Sequence, residues 1–295
     1  MRVGTCLYQT TPFLFVECGQ EVHIPALDPR FEGPEHRDVL AFIEAGPGRW
    51  REFAQALSGL ADQSRVDRGR VTIVAPIPRP RKNIMCLGWN YAEHAAESAA
   101  AAQREVKLPE YPIIFTKSVT SVTGPEAAVP HDPEVTTELD WEVELGVIIG
   151  TGGKRITAED ALDHVFGYTV INDLSARDLQ FRHKQFFLGK SLDAACPMGP
   201  CIVTADELAD PQDLDLKCWV NGELKQDSNT RHQIFDIRRV IATLSLGMTL
   251  EPGDIIATGT PSGVGFARTP PEFLSAGDVV ECEVAGIGRL RNPIV

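Results

Sequence analysis

Short apolar runs with strand-like composition dominate the chain beyond about residue 80, and they constrain its fold more than any other feature. The runs are rich in valine, isoleucine and aromatic residues, which favour β-strands. They read YPIIFTK, DWEVELGVIIG, FGYTVIND, GPCIVT, LDLKCWVNGELKQ, GDIIATG and DVVECEVAGIG. Helical patterns do not alternate regularly with these runs, which disfavours a doubly wound parallel sheet. The sequence therefore predicts an α+β, mostly β architecture.

The turns between these runs are marked by glycine and proline. Asn221 and Gly222 stand between LKCWV and ELKQ, and this pair suits a type I′ turn, in which both central residues have positive φ. We expect a β-hairpin there. Gly153, Pro252-Gly253 and Gly277 indicate further turns.

The leading part of the chain has a different pattern. Residues 1–25 read as two short strands, and residues 37–58 have apolar side chains at helical spacing. The proline-rich, basic stretch APIPRPRKN at residues 75–83 is typical of a linker. We predict a small N-terminal domain at residues 1–78 and a larger domain at residues 79–295.

Charge and cysteine usage exclude several classes of protein. Lys and Arg total 28 against 41 Asp and Glu, a net charge of −13 that disfavours binding to nucleic acid or an anionic membrane. The seven cysteines form no CxxC pair, so we expect reduced thiols rather than a disulfide framework or zinc ribbon. The four-residue apolar run at residues 13–16 is too short for a signal peptide, and no stretch approaches the ~20 apolar residues of a membrane span. These features predict a cytoplasmic protein.

The segment at residues 139–147 alternates apolar and acidic residues with the period of a β-strand. Its apolar face holds Leu139, Trp141, Val143, Leu145 and Val147, and its acidic face holds Asp140, Glu142 and Glu144. Such a face is either solvated or, if buried, neutralised by a shared proton or a cation, because neighbouring carboxylates repel each other. Oxygen ligands select a hard ion such as Mg²⁺ or Mn²⁺.

A further acidic residue, Asp173, ends the apolar run GYTVIND, and strand ends are where functional groups are often placed. Alternatively, Asp173 only precedes a helix that Ser175 caps, with Asp178 completing a pattern similar to a capping box. The metal interpretation makes Glu142, Glu144 and Asp173 the candidate ligands.

Six motifs follow one another between residues 80 and 295. They are CLGWNY leading to His94 and Glu97, IFTK, DWEVEL, NDLSARD, LGKS and TGTPSGVG. Together they resemble the fumarylacetoacetate hydrolase family. The resemblance implies a catalytic domain with a mixed β-roll or β-sandwich fold, a small N-terminal α+β domain before it, and a homodimer.

The resemblance also implies roles for ten residues. Glu142, Glu144 and Asp173 would hold one Mg²⁺ or Mn²⁺, His94, Glu97 and Lys190 would be catalytic, and Lys117, Arg177, Gln180 and Thr260 would bind substrate. His94 and Glu97 lie three residues apart in a segment of helical character, Glu93 to Arg104, so they share a face. They form either a dyad that deprotonates a water or a surface pair. Arg177 alternatively pairs with Asp173 or Asp178.

Three functions fit this pattern. The first is metal-dependent hydrolysis of acylpyruvate-type β-diketo acids, such as fumarylpyruvate, to pyruvate and a carboxylic acid. The alternative is a decarboxylase of a 2-oxo acid such as oxaloacetate, or an enol/keto isomerase of a catabolic 2-hydroxydienoate. The third is a non-catalytic β-rich module with a structural cation. In the enzymatic cases the partner is a small 2-oxo acid. The sequence has no HExxH or GxSxG motif, and its TGTPSG loop lacks a nucleotide-binding pattern.

Overall fold

The computed structural model describes residues 1–18, 21–59, 62–101, 103 and 105–295. The strands of this part are β1 (Arg2–Tyr8), β2 (Thr11–Cys18), β3 (Glu21–His23), β4 (Arg65–Val66), β5 (Val71–Ile73), β6 (Ile84–Gly88), β7 (Ile113–Lys117), β8 (Val122–Thr123), β9 (Leu139–Asp140), β10 (Val143–Ile149), β11 (Val165–Asn172), β12 (Ser175–Ala176), β13 (Cys196–Thr204), β14 (Asp215–Val220), β15 (Glu223–Asn229), β16 (Ile255–Ala257), β17 (Val279–Val284) and β18 (Gly288–Pro293). The α-helices are α1 (Val39–Glu44), α2 (Gly46–Ala56), α3 (Ala92–Ala101), α4 (Arg177–Arg182), α5 (Phe187–Lys190) and α6 (Ile237–Ser245).

Within the described residues, twelve strands form one mixed sheet. Its order is β4-β3-β2-β1-β13-β11-β10-β16-β6-β7, with β5 beside β1 and β8 beside β13. The β6–β16 and β8–β13 pairs are parallel, whereas β10 is antiparallel to both of its neighbours. A second, antiparallel sheet has the order β15-β14-β17-β18, and β9 pairs with β12. This architecture confirms the predicted α+β, mostly β fold.

The central strands of the large sheet are buried on both faces. Val147 of β10 lies in a core with Leu216 and Val284 of the smaller sheet. The next residue, Ile148, lies in a second core with Phe42 of α1. Successive residues of a strand point to opposite faces, so strands covered on both sides read as continuous apolar runs. The apolar face predicted for the acidic strand is confirmed, because Leu139, Trp141, Val143, Leu145 and Val147 all lie in the first core. Its acidic face is buried rather than solvated.

Several local predictions agree with the structure. The hairpin turn lies between β14 and β15, with φ of 52° at Asn221 and 80° at Gly222. Strands β1 and β2 and helices α1 and α2 occupy the segments predicted for the leading unit. Asp38 caps the N-terminus of α1, because its side chain accepts a hydrogen bond from the Ala41 N–H. This bond satisfies a backbone donor of the first turn that has no partner within the helix.

The leading residues share the large sheet with the rest of the chain. Strand β1 is antiparallel to β13, with Val3 opposite Ile202. The predicted boundary near residue 78 falls between β5 and β6, and the division into two domains stays a prediction. None of the helices in the described residues is long and apolar enough to cross a membrane.

Candidate active site

Strand pairing brings the three predicted metal ligands together. Glu142 immediately precedes β10, Glu144 lies on β10, and Asp173 immediately follows β11. Because β10 and β11 are antiparallel, the start of one lies beside the end of the other, and the Asp173 N–H donates to the Glu142 carbonyl over 2.9 Å. One carboxylate oxygen from each of the three residues lies within 4.8 Å of the others, and all three side chains are buried.

Buried cations surround this carboxylate cluster. The Lys190 Nζ lies 2.7 Å from both Glu142 Oε2 and Asp173 Oδ2. The Lys117 Nζ lies 2.7 Å from Asp173 Oδ1, and the Arg177 Nη2 lies 2.6 Å from Glu142 Oε1. Charges this deeply buried require partners, since burial strongly disfavours an isolated charge. Glu142 and Asp173 are thus each held by two cations.

Glu144 forms no side-chain ion pair in the part of the chain that the structure describes, and the charge of Lys190 only partly offsets the effect of burial on its pKa. Burial raises the pKa of Glu142, but the charges of Lys190, Arg177 and His94 outweigh burial and lower that pKa to about 2. In Glu144, burial and the charges of Asp173 and Glu142 together raise the pKa well above its usual value. The cluster therefore holds one carboxylate whose negative charge is unfavourable without a further cation.

The residues present fit a hard divalent cation. The Oε2 of Glu144 accepts a hydrogen bond from the Gly259 N–H over 2.8 Å, whereas its buried Oε1 has no hydrogen-bond partner among the described residues. Buried polar atoms are rarely left unsatisfied. A cation between Glu142, Glu144 and Asp173 would satisfy that oxygen and remove the repulsion, and the all-oxygen donor set suits Mg²⁺ or Mn²⁺.

The predicted dyad lies at the cavity next to this cluster. On α3, His94 Nδ1 and Glu97 Oε1 are 2.8 Å apart, and the second oxygen of Glu97 accepts from the Gly263 N–H over 2.9 Å. His94 is buried and lines the cavity. Since the carboxylate holds Nδ1, the Nε2 of His94 is the nitrogen left for a substrate or a water. Helix α3 is described to Ala101, and the Ala102 and Arg104 positions of the predicted segment lie outside the described residues.

A cavity of about 550 Å³ joins most of the predicted site residues. Glu142, His94, Lys190, Arg177, Gln180 and Thr260 line it. Lys117 does not line the cavity and is fully buried behind Asp173, where its Nζ also donates to the Leu174 carbonyl. The roles assigned to these residues in substrate binding stay predictions.

Arg177 has different partners from those expected. Its Nε donates to Asp140 Oδ2 over 2.8 Å and its Nη1 donates to Gln180 Oε1 over 2.9 Å, besides the contact of Nη2 with Glu142. The alternative in which Arg177 pairs with Asp173 or Asp178 is wrong, because none of these three contacts involves either carboxylate. Asp178 instead accepts from the Thr136 hydroxyl.

The predicted helix cap at Ser175 is also wrong. Its hydroxyl donates to the Asp173 carbonyl, and α4 begins after Ala176 without a capping side chain. Ser175 instead belongs to β12, which pairs with β9. The alternative in which Asp173 only precedes a capped helix therefore does not account for this segment.

Sequence comparison identifies the family. The family described as fumarylacetoacetate (FAA) hydrolase C-terminal matches residues 83–295 of the chain. The chain belongs to the fumarylacetoacetate hydrolase family.

Relatives within this family are named for their activities. Oxaloacetate tautomerase YisK of Bacillus subtilis (strain 168) is 54% identical over 224 residues, covering 76% of this chain and 73% of that protein. The mitochondrial oxaloacetate tautomerase FAHD2A of Homo sapiens is 42% identical over 289 residues, covering 96% and 88%. The solved fumarylacetoacetate hydrolase (EaFAH) from psychrophilic Exiguobacterium antarcticum has a TM-score of 0.84 at 37% identity, covering 100% of this chain and 99% of that one. The chain is thus an enzyme of this family.

Sequence reasoning missed the side chains that hold the family motifs in place. Gln226 of β15 accepts from the Val143 N–H over 3.0 Å and donates to the Thr260 hydroxyl over 2.8 Å. Thr260 in turn donates to the Val143 carbonyl over 3.0 Å. The peptide between the two glutamates is thereby fixed on both sides. No local signal marks Gln226, because its partners lie 83 and 34 residues away in the chain.

Proposed function

We propose that this enzyme interconverts the enol and keto tautomers of a small 2-oxo acid in a divalent-metal-dependent reaction, with oxaloacetate as the first substrate to test. The observation that carries the proposal is the His94–Glu97 dyad beside the Glu142, Glu144 and Asp173 cluster at one cavity. Two relatives named as oxaloacetate tautomerases, at 54% and 42% identity, support the same chemistry.

The metal supplies one element of this chemistry. Glu142, Glu144 and Asp173 would hold Mg²⁺ or Mn²⁺, and this ion would supply positive charge that polarises the keto group and stabilises the developing negative charge. The ammonium group of Lys190 adds a second positive charge, because Lys190 lines the cavity and contacts Glu142.

The dyad supplies the proton transfer. In the direction from keto to enol, His94 Nε2 takes a proton from the carbon next to the keto group, and the electron pair of the broken C–H bond forms the C=C bond. The π electrons of the C=O bond move to the keto oxygen, which takes that proton back from the His94 imidazolium, so that the substrate keeps all its atoms and His94 returns to its neutral form. Glu97 stabilises the imidazolium that forms, because its carboxylate lies 2.8 Å from Nδ1. Such general acid–base catalysis typically contributes 10²–10⁴-fold in rate.

Isomerisation is better supported than the other reactions expected from the sequence. Hydrolysis of an acylpyruvate needs the dyad to activate a water, and decarboxylation needs a carboxylate to leave as CO₂. Enol–keto exchange needs only a proton relay and stabilisation of the enolate, which the cavity lining provides through His94 and Lys190. The test below distinguishes isomerisation from the other two reactions.

The test follows the ultraviolet absorbance of the oxaloacetate enol with purified protein in Mg²⁺, in Mn²⁺ and in EDTA. We expect loss of the enol to exceed the spontaneous rate with metal and to return to that rate in EDTA. Release of pyruvate and CO₂ at the rate of enol loss would indicate a decarboxylase instead. Cleavage of acetylpyruvate without any effect on oxaloacetate would indicate a hydrolase.

A matched pair of variants makes this test specific. His94→Asn is expected to lose the metal-dependent rate. His131→Asn removes a histidine whose ring contacts the Thr136 carbonyl and does not line the cavity, and it is expected to keep that rate. Equal rates in both variants would contradict the role of the dyad. The homodimer expected from the family resemblance remains a proposal, which light scattering on the purified protein tests.

A further inference from the structure

The proposed function uses Glu142 and Glu144 but not Asp140, the third acidic residue of the same segment. Asp140 is fully buried, and it does not line the cavity. A buried carboxylate needs hydrogen-bond donors or a cation, since burial strongly disfavours an isolated charge. The partners of Asp140 therefore indicate its role.

Four donors hold the Asp140 carboxylate. Its Oδ1 accepts from the Trp141 N–H over 2.8 Å and from the Gly265 N–H over 2.7 Å. Its Oδ2 accepts from the Phe266 N–H over 3.1 Å and from the Arg177 Nε over 2.8 Å. Trp141 and Gly265 lie outside the cavity lining, whereas Phe266 and Arg177 both line the cavity. The two oxygens of Asp140 thus hold different parts of the structure.

The fold brings two distant segments to Asp140. Strand β9 places Asp140 opposite Ser175 of β12, and the Arg177 N–H donates to the Glu138 carbonyl over 2.9 Å. On the other side, a Cβ at position 265 would lie 2.8 Å from Asp140 Oδ1, so Gly265 is what permits the close approach. Asp140 therefore joins the start of α4 to the segment that follows the TGTPSG motif.

Arg177 contacts three side-chain oxygens at once. Its Nε contacts Asp140, its Nη1 contacts Gln180 and its Nη2 contacts Glu142. Because a guanidinium is planar and rigid, three fixed partners define its orientation. Glu142 is a candidate metal ligand, and a bound cation would share its charge. Asp140 lies outside the cluster of candidate ligands, so it would keep a full negative charge beside Arg177 in either case.

The same carboxylate fixes one wall of the cavity. The Phe266 ring centroid lies 4.5 Å from the Arg177 guanidinium, which is within the range of a cation–π contact. Since Asp140 Oδ2 holds both the Phe266 backbone and the Arg177 side chain, a change at this oxygen affects both cavity-lining groups.

We propose that Asp140 is a positioning residue, which fixes the Arg177 guanidinium and the Phe266 ring for binding of the 2-oxo acid without contacting the acid or the cation. The inference rests on the proposed function in one respect, the binding of a 2-oxo acid in the cavity that Arg177 lines. Asp140 then sets the affinity for this acid through Arg177.

Asp140→Asn tests the inference because it changes the two oxygens unequally. The amide oxygen still accepts from the Trp141 and Gly265 N–H groups, whereas the amide NH₂ faces two other donors, the Phe266 N–H and the Arg177 Nε. The probe is oxalate, which has the two adjacent oxygen-bearing carbons of a 2-oxo acid. In saturating Mg²⁺, calorimetric titration is expected to show oxalate binding on the order of tenfold more weakly to the variant.

The direction of this change separates positioning from other roles. Asp140→Asn removes a negative charge near the site, and by Coulomb's law alone this favours the binding of an anion. A purely electrostatic role therefore gives tighter oxalate binding. A purely structural role gives a lower Tm with an unchanged oxalate affinity of the folded protein. Either result overturns the inference.

Asp254→Asn is the matched control. Asp254 is also buried, accepts from the Lys82 Nζ and the Glu251 N–H over 2.9 Å each, and does not line the cavity. This variant loses a buried carboxylate of the same kind and is expected to keep the wild-type affinity for oxalate. Equal losses of affinity in the two variants overturn the inference.

Arg177→Lys shows whether Asp140 acts through Arg177. The lysine keeps the charge, but its ammonium group lacks the rigid fork that contacts three partners, so we expect weaker oxalate binding. Adding Asp140→Asn to Arg177→Lys should then weaken binding little further, because the two residues act as a unit. Fully additive losses overturn the inference. Wild-type affinity in Arg177→Lys also overturns it, even if Asp140→Asn does not fold.

The wild-type protein distinguishes these failures from failure of the proposed function. If it binds oxalate in Mg²⁺ but not in EDTA and turns over the oxaloacetate enol, the outcomes above concern Asp140 alone. Oxalate binding without enol turnover overturns the proposed function but not the positioning role. If the wild type neither binds oxalate nor turns over the enol, both fail.

Discussion

Replacing Lys190 by methionine tests how the charges at the site are balanced. Lys190 is 2% exposed, and its Nζ lies 2.7 Å from one oxygen each of Glu142 and Asp173. Removing one partner from a buried ion pair typically destabilises a protein by 3–5 kcal/mol, because the remaining charge is left buried. Here Glu142 keeps Arg177 and Asp173 keeps Lys117, so we expect the lower end of that range.

We therefore expect Lys190→Met to lower the free energy of unfolding of the metal-free protein by about 3 kcal/mol. For a chain of this size that corresponds to a fall of roughly 6–12 °C in Tm. Bound Mg²⁺ supplies positive charge to the same carboxylates, so the deficit should shrink in excess Mg²⁺. The assay is thermal and urea unfolding of the wild type and the variant, each in EDTA and in Mg²⁺.

The control is Lys217→Met. Lys217 lies on the smaller sheet, is 38% exposed in its side chain, and is 3.5 Å from Asp227. Exposed pairs of this kind contribute about 0–1 kcal/mol, and Mg²⁺ should not change the effect. The reasoning is refuted if Lys190→Met is as stable in EDTA as the control variant, or if Mg²⁺ restores both variants equally.

Three further predictions follow from individual contacts. His94→Asn is expected to lower kcat for enol–keto exchange by about 10²–10⁴-fold. Stopped-flow absorbance measures this rate, and a loss below tenfold would exclude His94 as the proton carrier. Gln226→Leu leaves the buried Val143 N–H without its acceptor. We expect this to destabilise the protein by about 1–3 kcal/mol and to weaken Mg²⁺ binding, measured by calorimetry. An unchanged Mg²⁺ affinity would show that Gln226 does not position the glutamates. Burial raises the pKa of Cys196 to about 12, so its thiol stays protonated at pH 8. Peptide mapping after alkylation should therefore find Cys196 modified in urea but not in the native protein. Rapid labelling of the native protein would contradict this burial.

The carboxylate cluster was predictable from sequence because its signal is local. Two glutamates two residues apart on a strand must share a face, and Asp173 directly follows the next long apolar run. The structure adds that these two segments are antiparallel neighbours, with Val143 opposite Asn172. The dyad was also local, since His94 and Glu97 lie on one face of α3.

The surroundings of the carboxylate cluster were not predictable in the same way. Arg177 and Asp140 are 37 residues apart, and Gln226 and Val143 are 83 residues apart. Only the strand order brings such pairs together. The alternation predicted the apolar face of the acidic strand but left open whether its acidic face is solvated or buried, because alternation does not reveal that the large sheet is covered on both sides. Full burial of β10 is what makes the charge balance at Glu144 unfavourable.

Titration of Mg²⁺ into metal-free wild type and Glu144→Gln, with the rate of oxaloacetate enol loss as the readout, tests the central claim most directly. For the wild type, we expect the rate to rise from the spontaneous value and to saturate with one Mg²⁺ bound per chain. In Glu144→Gln the carboxylate charge that attracts the cation is gone, so the same rise should require much higher Mg²⁺ or should not occur. Full wild-type activity in EDTA, or identical titrations for the two proteins, would contradict the account.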